Sequence, residues 1–223
     1  MKLLALDTST ESCSVALALD GAITERVEHE RRHGERLLFM VQELLGESGM
    51  ALTQLDAIAF GRGPGSFTSL RIGAGVVQGL AFGADLPVVP ISSLAVLAQG
   101  AEAPNVLAAM DARMQQVYWG MYVRASDGLV ALTGTESVVD PAVVPVPEGQ
   151  GWVGVGSGWD QYAALLRQRI GGGVSDVRQN CYPQARNVVA LATAAFSRGE
   201  SVAPDLALPL YIRDDVAFKM HRS

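Results

Sequence analysis

The chain has 223 residues, of which 49% are hydrophobic and 18% charged, so it can form a sizeable core and does not resemble a disordered chain. Its formal net charge of −6 is untypical of a protein that binds nucleic acid on its own, because affinity for RNA comes largely from basic side chains that neutralise phosphates. No apolar run reaches the roughly 20 residues of a membrane span, so we expect a cytoplasmic protein that does not contact the membrane.

The first hundred residues alternate short apolar runs with helical patterns. Three antiparallel strands open the chain, and Asp20-Gly21 is a strong hairpin signal between the second and the third. The order β-β-β-α-β-α-β-α is typical of one lobe of an actin-like (ASKHA/ribonuclease H-like) protein. The predicted strands are 2–6, 13–19, 22–28, 56–60 and 87–91, and the predicted helices are 35–48, 66–83 and 92–100.

A boundary is expected at residues 100–104, after which the same pattern recurs in a degenerate form. We therefore predict an α/β fold of two lobes, 1–100 and 101–223, each a mixed sheet with helices. The late helix 187–198 either stays in the second lobe or packs back on the first. The other elements predicted for the second lobe are strands at 106–110, 116–124, 128–138 and 152–155 and a helix at 160–170.

Helix 35–48 carries two large apolar residues away from its expected core face. A helical wheel assigns that core face to Leu37, Leu38, Val41, Leu44, Leu45 and Ser48. Phe39 and Met40 fall outside it, beside Glu43 and Glu47. They are either scattered surface residues or the edge of a partner interface, where aromatic residues and methionine are enriched.

Helix 66–83 has two apolar faces, whereas one face is enough to cover a sheet. The second face contains Ile72, Gly75, Val76, Gly79 and Gly83, with a glycine at every fourth residue. Each interior glycine costs about 1 kcal/mol of helix stability relative to alanine. This loss is explained if another backbone approaches closely, either within the same lobe or in an interface with a partner or a second copy.

Several motifs together resemble the TsaB (YeaZ) family. The opening LDTST at 6–10, followed by CSVA at 13–16, is similar to the start of that family, and GRGPGSFTSLRIG at 61–73 is similar to its most specific signature. Shorter similarities are SSL at 92–94, DAR at 111–113 and PLYIR at 209–213. One residue departs from the signature, because Ser69 stands where glycine is usual.

The resemblance implies a non-catalytic partner subunit in the formation of N6-threonylcarbamoyladenosine at position 37 of tRNA. It implies docking on a homologous TsaD-like transferase subunit, cooperation with a TsaE-like ATPase, homodimers when the protein is alone, and contact with tRNA only through the complex. We place the partner interface on the two helices described above. Its expected residues are Phe39, Met40, Glu43, Ser69, Ile72, Gly75, Val76, Gly79 and Gly83.

Two enzymatic alternatives remain open from the sequence. Asp7, Thr8 and Ser9 occupy the turn where actin-fold kinases bind phosphate. Ser66 is expected to be the N-cap of helix 66–83, and with Thr68 and Arg71 it begins a helix that could hold an anion. An actin-fold ATPase or small-molecule kinase would also need a second phosphate loop, for which 154–158 is the nearest candidate. The other alternative is a glycoprotease-like peptidase acting on a homologous subunit. We expect no catalytic residue and no cofactor, with ATP or ADP and magnesium at a subunit interface as the weaker alternative.

The histidines and cysteines indicate neither a metal site nor a disulfide. His29 and His33 are four residues apart, but Gly34 follows at once and His221 lies near the end of the chain. Three histidines so placed do not make a convincing zinc site. We therefore predict no metal ligands, and two reduced thiols at Cys13 and Cys181.

Overall fold

The first lobe is built on a five-stranded mixed sheet. The computed structural model describes residues 1–29 and 33–212, with the backbone alone at 33–35. The strand order is β3-β2-β1-β4-β5, with β1 antiparallel to β2 and parallel to β4. The strands are β1 (Lys2–Asp7), β2 (Cys13–Leu19), β3 (Ala22–Glu28), β4 (Ala57–Gly63) and β5 (Val88–Ser92).

The second lobe repeats this topology. Its sheet has the order β10-β9-β6-β7-β8, which is the first sheet's order read from the other edge, with β6 antiparallel to β7 and parallel to β9. Two sheets of the same topology confirm the predicted two-lobed, actin-like α/β fold. The strands are β6 (Asn105–Asp111), β7 (Val117–Arg124), β8 (Val130–Val139), β9 (Trp152–Val155) and β10 (Val174–Arg178).

Five α-helices within the described residues connect and cover the sheets. Strand β10 was missed by the sequence analysis because it is polar at Ser175, Asp176 and Arg178 and lies at a sheet edge, where apolar alternation is not required. No helix in the described part of the chain is long and apolar enough to span a membrane. The helices are α1 (His33–Ser48), α2 (Phe67–Ala84), α3 (Ser93–Gln99), α4 (Ser157–Ile170) and α5 (Ala185–Ser197).

The two halves of the chain exchange helices. Helices α1 and α2 cover one face of the first sheet, and α5, from the second half of the chain, covers the other face. Conversely, α3 comes from the first half and packs on the second sheet, where Leu94, Leu97 and Ala98 join its core. The late helix therefore lies on the first lobe, and the two cores are tied together.

Helix α1 is rotated relative to the predicted wheel. Met40 is buried in the core of the first lobe with Leu37, Val41 and Leu44, so its assignment to a partner interface was wrong. Residues 37, 40, 41 and 44 follow the i, i+3, i+4, i+7 spacing of a single helical stripe. Leu38, assigned to the core, is exposed instead and lies beside the exposed Phe39.

The N-terminus of α5 is capped by side chains from the first sheet. Ser14 Oγ, fully buried on β2, accepts a hydrogen bond of 2.8 Å from the amide of Ala185. Glu25 on β3 accepts one of 2.9 Å from the amide of Arg186 and forms an ion pair with the Arg186 guanidinium. The first amides of a helix have no partner within the helix, so these contacts fix α5 on the first sheet.

Replacing Ser14 with alanine is expected to lower the free energy of unfolding by about 1–2 kcal/mol, the usual cost of losing a helix cap. The buried Ala185 amide would lose its partner. Urea denaturation measures the change. Ser197→Ala at the exposed end of the same helix serves as the control and should change stability far less. Equal effects of the two substitutions would show that the cap does not hold α5.

The sequence near β3 interleaves Arg26, Arg31, Arg32 and Arg36 with Glu25, Glu28, Glu30 and Glu35, and these alternating signs predict a self-neutralised surface. Arg26 forms an ion pair with Glu47, and Arg36 with Glu28. The remaining members of this cluster, Glu30, Arg31, Arg32 and the Glu35 side chain, lie outside the described residues.

Candidate functional site

The turn that follows β1 is a closed, buried structure. Asp7 Oδ1 accepts hydrogen bonds from the amide of Ser9 at 2.9 Å and from Ser9 Oγ at 2.7 Å. Thr8 Oγ1 donates to the carbonyl oxygen of Ser69 at 2.8 Å. All three side chains of 7–9 are buried. These residues, predicted as a phosphate contact, therefore use their polar groups to hold the turn and to join it to α2.

Three glycines of the 61–73 segment make room for this turn. A Cβ at Gly61 would overlap Asp7 Oδ2, one at Gly65 would overlap the carbonyl oxygen of Ser9, and one at Gly73 would overlap Thr8 Oγ1. The two most distinctive motifs of the sequence, at 6–10 and 61–73, therefore pack against each other. Sequence reasoning found both motifs but did not pair them, because the contact joins residues about sixty positions apart.

Gly61→Ala is expected to lower the free energy of unfolding by about 1–3 kcal/mol, because the new methyl group overlaps Asp7 Oδ2 and would lie 2.8 Å from Asp7 Cγ. Combining it with Asp7→Ala removes those two atoms, so the double variant should lose less stability than the sum of the single variants. Chemical denaturation of the four proteins measures this coupling. Strict additivity would contradict the contact.

Asp7 is a buried carboxyl group with one unsatisfied oxygen. Oδ2 makes no hydrogen bond with any described residue. Burial raises the pKa of Asp7 from 3.8 to about 6, although the two hydrogen bonds from Ser9 favour the carboxylate. Burial also raises the pKa of the neighbouring Cys13 to about 12, and both Cys13 and Cys181 are free thiols, as predicted.

At the start of α2, the side chains make contacts that differ from those expected from the sequence. Ser66 occupies the N-cap position, but its hydroxyl caps no amide and instead accepts a hydrogen bond of 3.0 Å from Ser69 Oγ. Ser66 is therefore the N-cap residue, as predicted, but its side chain does not cap the helix. Arg71 stacks on the Phe67 ring at 3.8 Å and donates Nε to Tyr211 Oη at 3.0 Å. Thr68 is exposed, and anion binding by these residues stays a prediction.

A cleft of about 1220 Å³ lies between the lobes, at the position where the sequence suggested a nucleotide. Its lining carries the carboxylates of Glu11, Asp111 and Asp160 and the guanidinium of Arg113, which is already paired with Asp111 at 2.9 Å. This excess of negative charge is unfavourable for a triphosphate.

The candidate second phosphate loop is packed against the protein itself. A Cβ at Gly154 would lie 2.5 Å from the ring of Trp159, one at Gly156 would overlap the carbonyl oxygen of Ala109, and one at Gly158 would lie 2.9 Å from Ala109 Cβ. These glycines therefore accommodate neighbouring protein atoms, and this packing explains their presence without a phosphate.

The histidines do not assemble into a site within the described residues. His29 lies near the ring of Tyr182, with centroids 5.9 Å apart, and no three metal-ligating side chains converge among residues 1–29 and 36–212. The His33 side chain and His221 lie outside the described residues. The absence of metal ligands stays a prediction.

The outer face of α2 is open along its glycines. Apart from the adjoining helix backbone, a Cβ built at Gly75, Gly79 or Gly83 meets no atom of the described residues within 4 Å, so these glycines are not needed for close packing against that part of the chain. Ile72 and Val76 are half-buried against the core beside them. On neighbouring α1, Phe39 is 57% exposed and Glu43 is exposed. The Ser69 side chain turns back to Ser66 and leaves the glycine column open.

Comparisons with known proteins agree with these features. The family model described as TsaD, tRNA N6-adenosine threonylcarbamoyltransferase, matches residues 25–218. The tRNA threonylcarbamoyladenosine biosynthesis protein TsaB of Escherichia coli is 44% identical over 227 residues, covering 98% of this chain and 97% of its own. TsaB of Haemophilus influenzae is 41% identical over 232 residues, covering 98% and 96%. The structure of YeaZ from Pseudomonas aeruginosa has a TM-score of 0.86 at 46% identity, covering 94% of this chain and 99% of that one.

The fold and these matches define the class of this protein as actin-like proteins of tRNA threonylcarbamoyladenosine biosynthesis. Within that class the chain belongs to the TsaB (YeaZ) family, which confirms the resemblance inferred from residues 6–16 and 61–73.

Proposed function

We propose that this chain is a non-catalytic partner subunit that docks on a homologous TsaD-like subunit through the outer faces of α1 and α2. The observation that carries the proposal is the glycine column Gly75, Gly79 and Gly83: a Cβ built at any of them meets no described atom within 4 Å outside the adjoining helix backbone. The expected contact residues around the column are Phe39, Glu43, Ser69, Ile72 and Val76.

A helix of the partner fits this surface better than a loop or a strand. Glycines at every fourth position form a straight groove along one helical row, and a second helix can lay its side-chain ridge in such a groove. The close contact between the two helices would then offset the roughly 1 kcal/mol of helix stability that each glycine costs α2. Burial would also complete the packing of Ile72 and Val76, which the lobe covers only in part.

The same geometry supports a non-catalytic role for this chain. Asp7 Oδ1, Thr8 Oγ1 and Ser9 Oγ are engaged in the turn and its contact with α2, and the glycines at 154, 156 and 158 are packed against the chain's own atoms. We therefore propose that it binds no cofactor by itself. ATP or ADP with magnesium between two subunits is the alternative, because a partner would supply the positive charge that the cleft lacks.

We extend the proposal to the other members of the complex on the basis of the family resemblance. In this proposal the protein works in the cytoplasm, a TsaE-like ATPase joins the complex, and tRNA binds to other subunits because this chain has a net charge of −6. Without its partner, the exposed α1–α2 face would lead two copies to pair.

Reconstitution of the tRNA modification tests the proposal. Purified TsaD-like and TsaE-like subunits, threonylcarbamoyl-AMP and tRNA are incubated with and without this chain. We expect modification only when the chain is present, and equal modification in its absence would refute the role. Calorimetry of the isolated chain with ATP and magnesium examines the enzymatic alternative, which requires micromolar binding with turnover.

A further inference from the structure

The segment 202–211, which we call the C-terminal strap, is held along the side of α2 opposite α1. Val202 exchanges backbone hydrogen bonds of 2.8 and 2.9 Å with Val88 at the edge of the first sheet. Gln78 Nε2 donates to the carbonyl oxygen of Ala207 at 3.3 Å, and the amide of Leu210 donates to that of Arg62 at 2.7 Å. The strap is thus fixed to the first lobe at both ends and in the middle.

This fixed segment presents leucines to solvent. Ala207 is fully buried in the core of the first lobe, while Leu206 and Leu208 on either side of it are 60% and 59% exposed. Phe82, one helical turn beyond Gln78 on the strap side of α2, is 84% exposed. These three side chains form a surface that we call the strap patch. Because Ala207 anchors the backbone, the two leucines cannot both turn inward without losing that anchor.

The strap patch continues the face proposed for docking. Phe82 lies next to Gly83, the last glycine of the column, so a partner helix in the glycine groove ends beside the patch. Completely burying one large apolar side chain is worth about 1.5–3 kcal/mol relative to leaving it exposed. The strap patch therefore adds three exposed apolar side chains, Phe82, Leu206 and Leu208, to the area that a partner on α1 and α2 could bury.

The charges around this extended face indicate the chemistry of its partner. Glu43 on α1, Asp85 after α2 and Asp205 on the strap are exposed carboxylates, and none forms an ion pair with a residue in the described part of the chain. Arg71 is engaged by Phe67 and Tyr211. An apolar centre with a negative rim fits a protein surface with basic residues at its edge, and it repels RNA and anionic membranes.

We infer that the docking face extends from α2 onto the C-terminal strap, and that the TsaD-like subunit buries the strap patch with a surface that is apolar at its centre and basic at its rim. The inference rests on the proposed function and adds a third element, the strap, to the two helices.

Calorimetric titration of the full-length chain with the TsaD-like subunit tests this extension. Leu206→Ser combined with Leu208→Ser is expected to weaken binding at least tenfold. The matched control is Val143→Ser with Leu165→Ser, which replaces two similarly exposed apolar residues of the second lobe and should leave the affinity unchanged. Raising the salt concentration should weaken binding by the wild type, because the charge at the rim is screened.

The outcomes separate the two proposals. If the strap variant binds like the wild type while Gly79→Leu prevents binding, the strap lies outside the interface and the extension fails although the docking proposal stands. If the wild type itself does not bind, the proposed function fails. Thermal unfolding of each variant is measured alongside, and the extension requires the loss of binding in a strap variant that retains a cooperative transition.

Discussion

Gly79→Leu is expected to stabilise the isolated chain and to weaken its complex with a TsaD-like subunit. Leucine is a better helix former than glycine by about 1 kcal/mol, and its side chain would extend into space that is empty within 4 Å of the Cβ. In the complex the same side chain would occupy the groove of the partner helix. Overpacking costs about 1–3 kcal/mol, which corresponds to roughly fivefold to more than a hundredfold weaker binding.

The opposite signs of the two effects make this prediction specific, since a substitution that merely damaged the fold would lower both stability and binding. Urea denaturation and calorimetric titration measure the two quantities on the same preparation. Ala164→Leu adds bulk to an exposed position of α4 in the second lobe and should leave binding unchanged. A Gly79→Leu protein that binds with wild-type affinity would exclude the glycine column from the interface.

Asp7→Asn is expected to make the chain more stable than the wild type at neutral pH, by up to about 3 kcal/mol. Burial raises the pKa of Asp7 from 3.8 to about 6, so between these values the folded protein binds more protons than the unfolded chain. The free energy of unfolding of the wild type therefore falls as the pH rises through this window and levels off above it. Asparagine does not ionise and avoids this loss, so the advantage of the variant should shrink towards pH 4.

Ser9→Ala is the complementary variant, with the opposite pH dependence. The Ser9 hydroxyl donates to Asp7 Oδ1 at 2.7 Å and favours the ionised form, so its removal raises the pKa of Asp7 further. The variant should therefore lose more stability at pH 8 than at pH 4. Chemical denaturation across this range, at low protein concentration because the pI is about 5.1, measures both curves. A stability difference for Asp7→Asn that does not change with pH would show that Asp7 does not titrate as described.

Most of the fold could be predicted from local patterns, because each element is marked by its own residues. The hairpin at Asp20-Gly21 and the apolar runs of β1 and β2 depend on neighbours within a few positions. The rotation of α1 could not be read in the same way, since both Leu38 and Met40 are acceptable core residues and only the position of the sheet decides which is buried. Strand β10 is polar and gave no local signal at all.

Only some features of the candidate site could be predicted from the sequence. The open glycines of α2 were visible as a period of four, because one helix contains them all. The pairing of Gly61 with Asp7 was not visible, because it depends on β1 and β4 lying side by side in the sheet. Capping by Ser66 was predicted from its position, but the competing hydrogen bond from Ser69 Oγ changed its role.

The exchange of α3 and α5 between the lobes has a consequence for synthesis. One face of the first sheet is covered by α5, which the ribosome makes after strands β1 to β10, so that face stays uncovered while both sheets emerge. The nascent first lobe would expose the apolar surface of β1, β2 and β4 until residues 185–197 arrive, and such surfaces favour aggregation and chaperone binding. The first lobe is therefore the first to be made, but it can be completed only after the second.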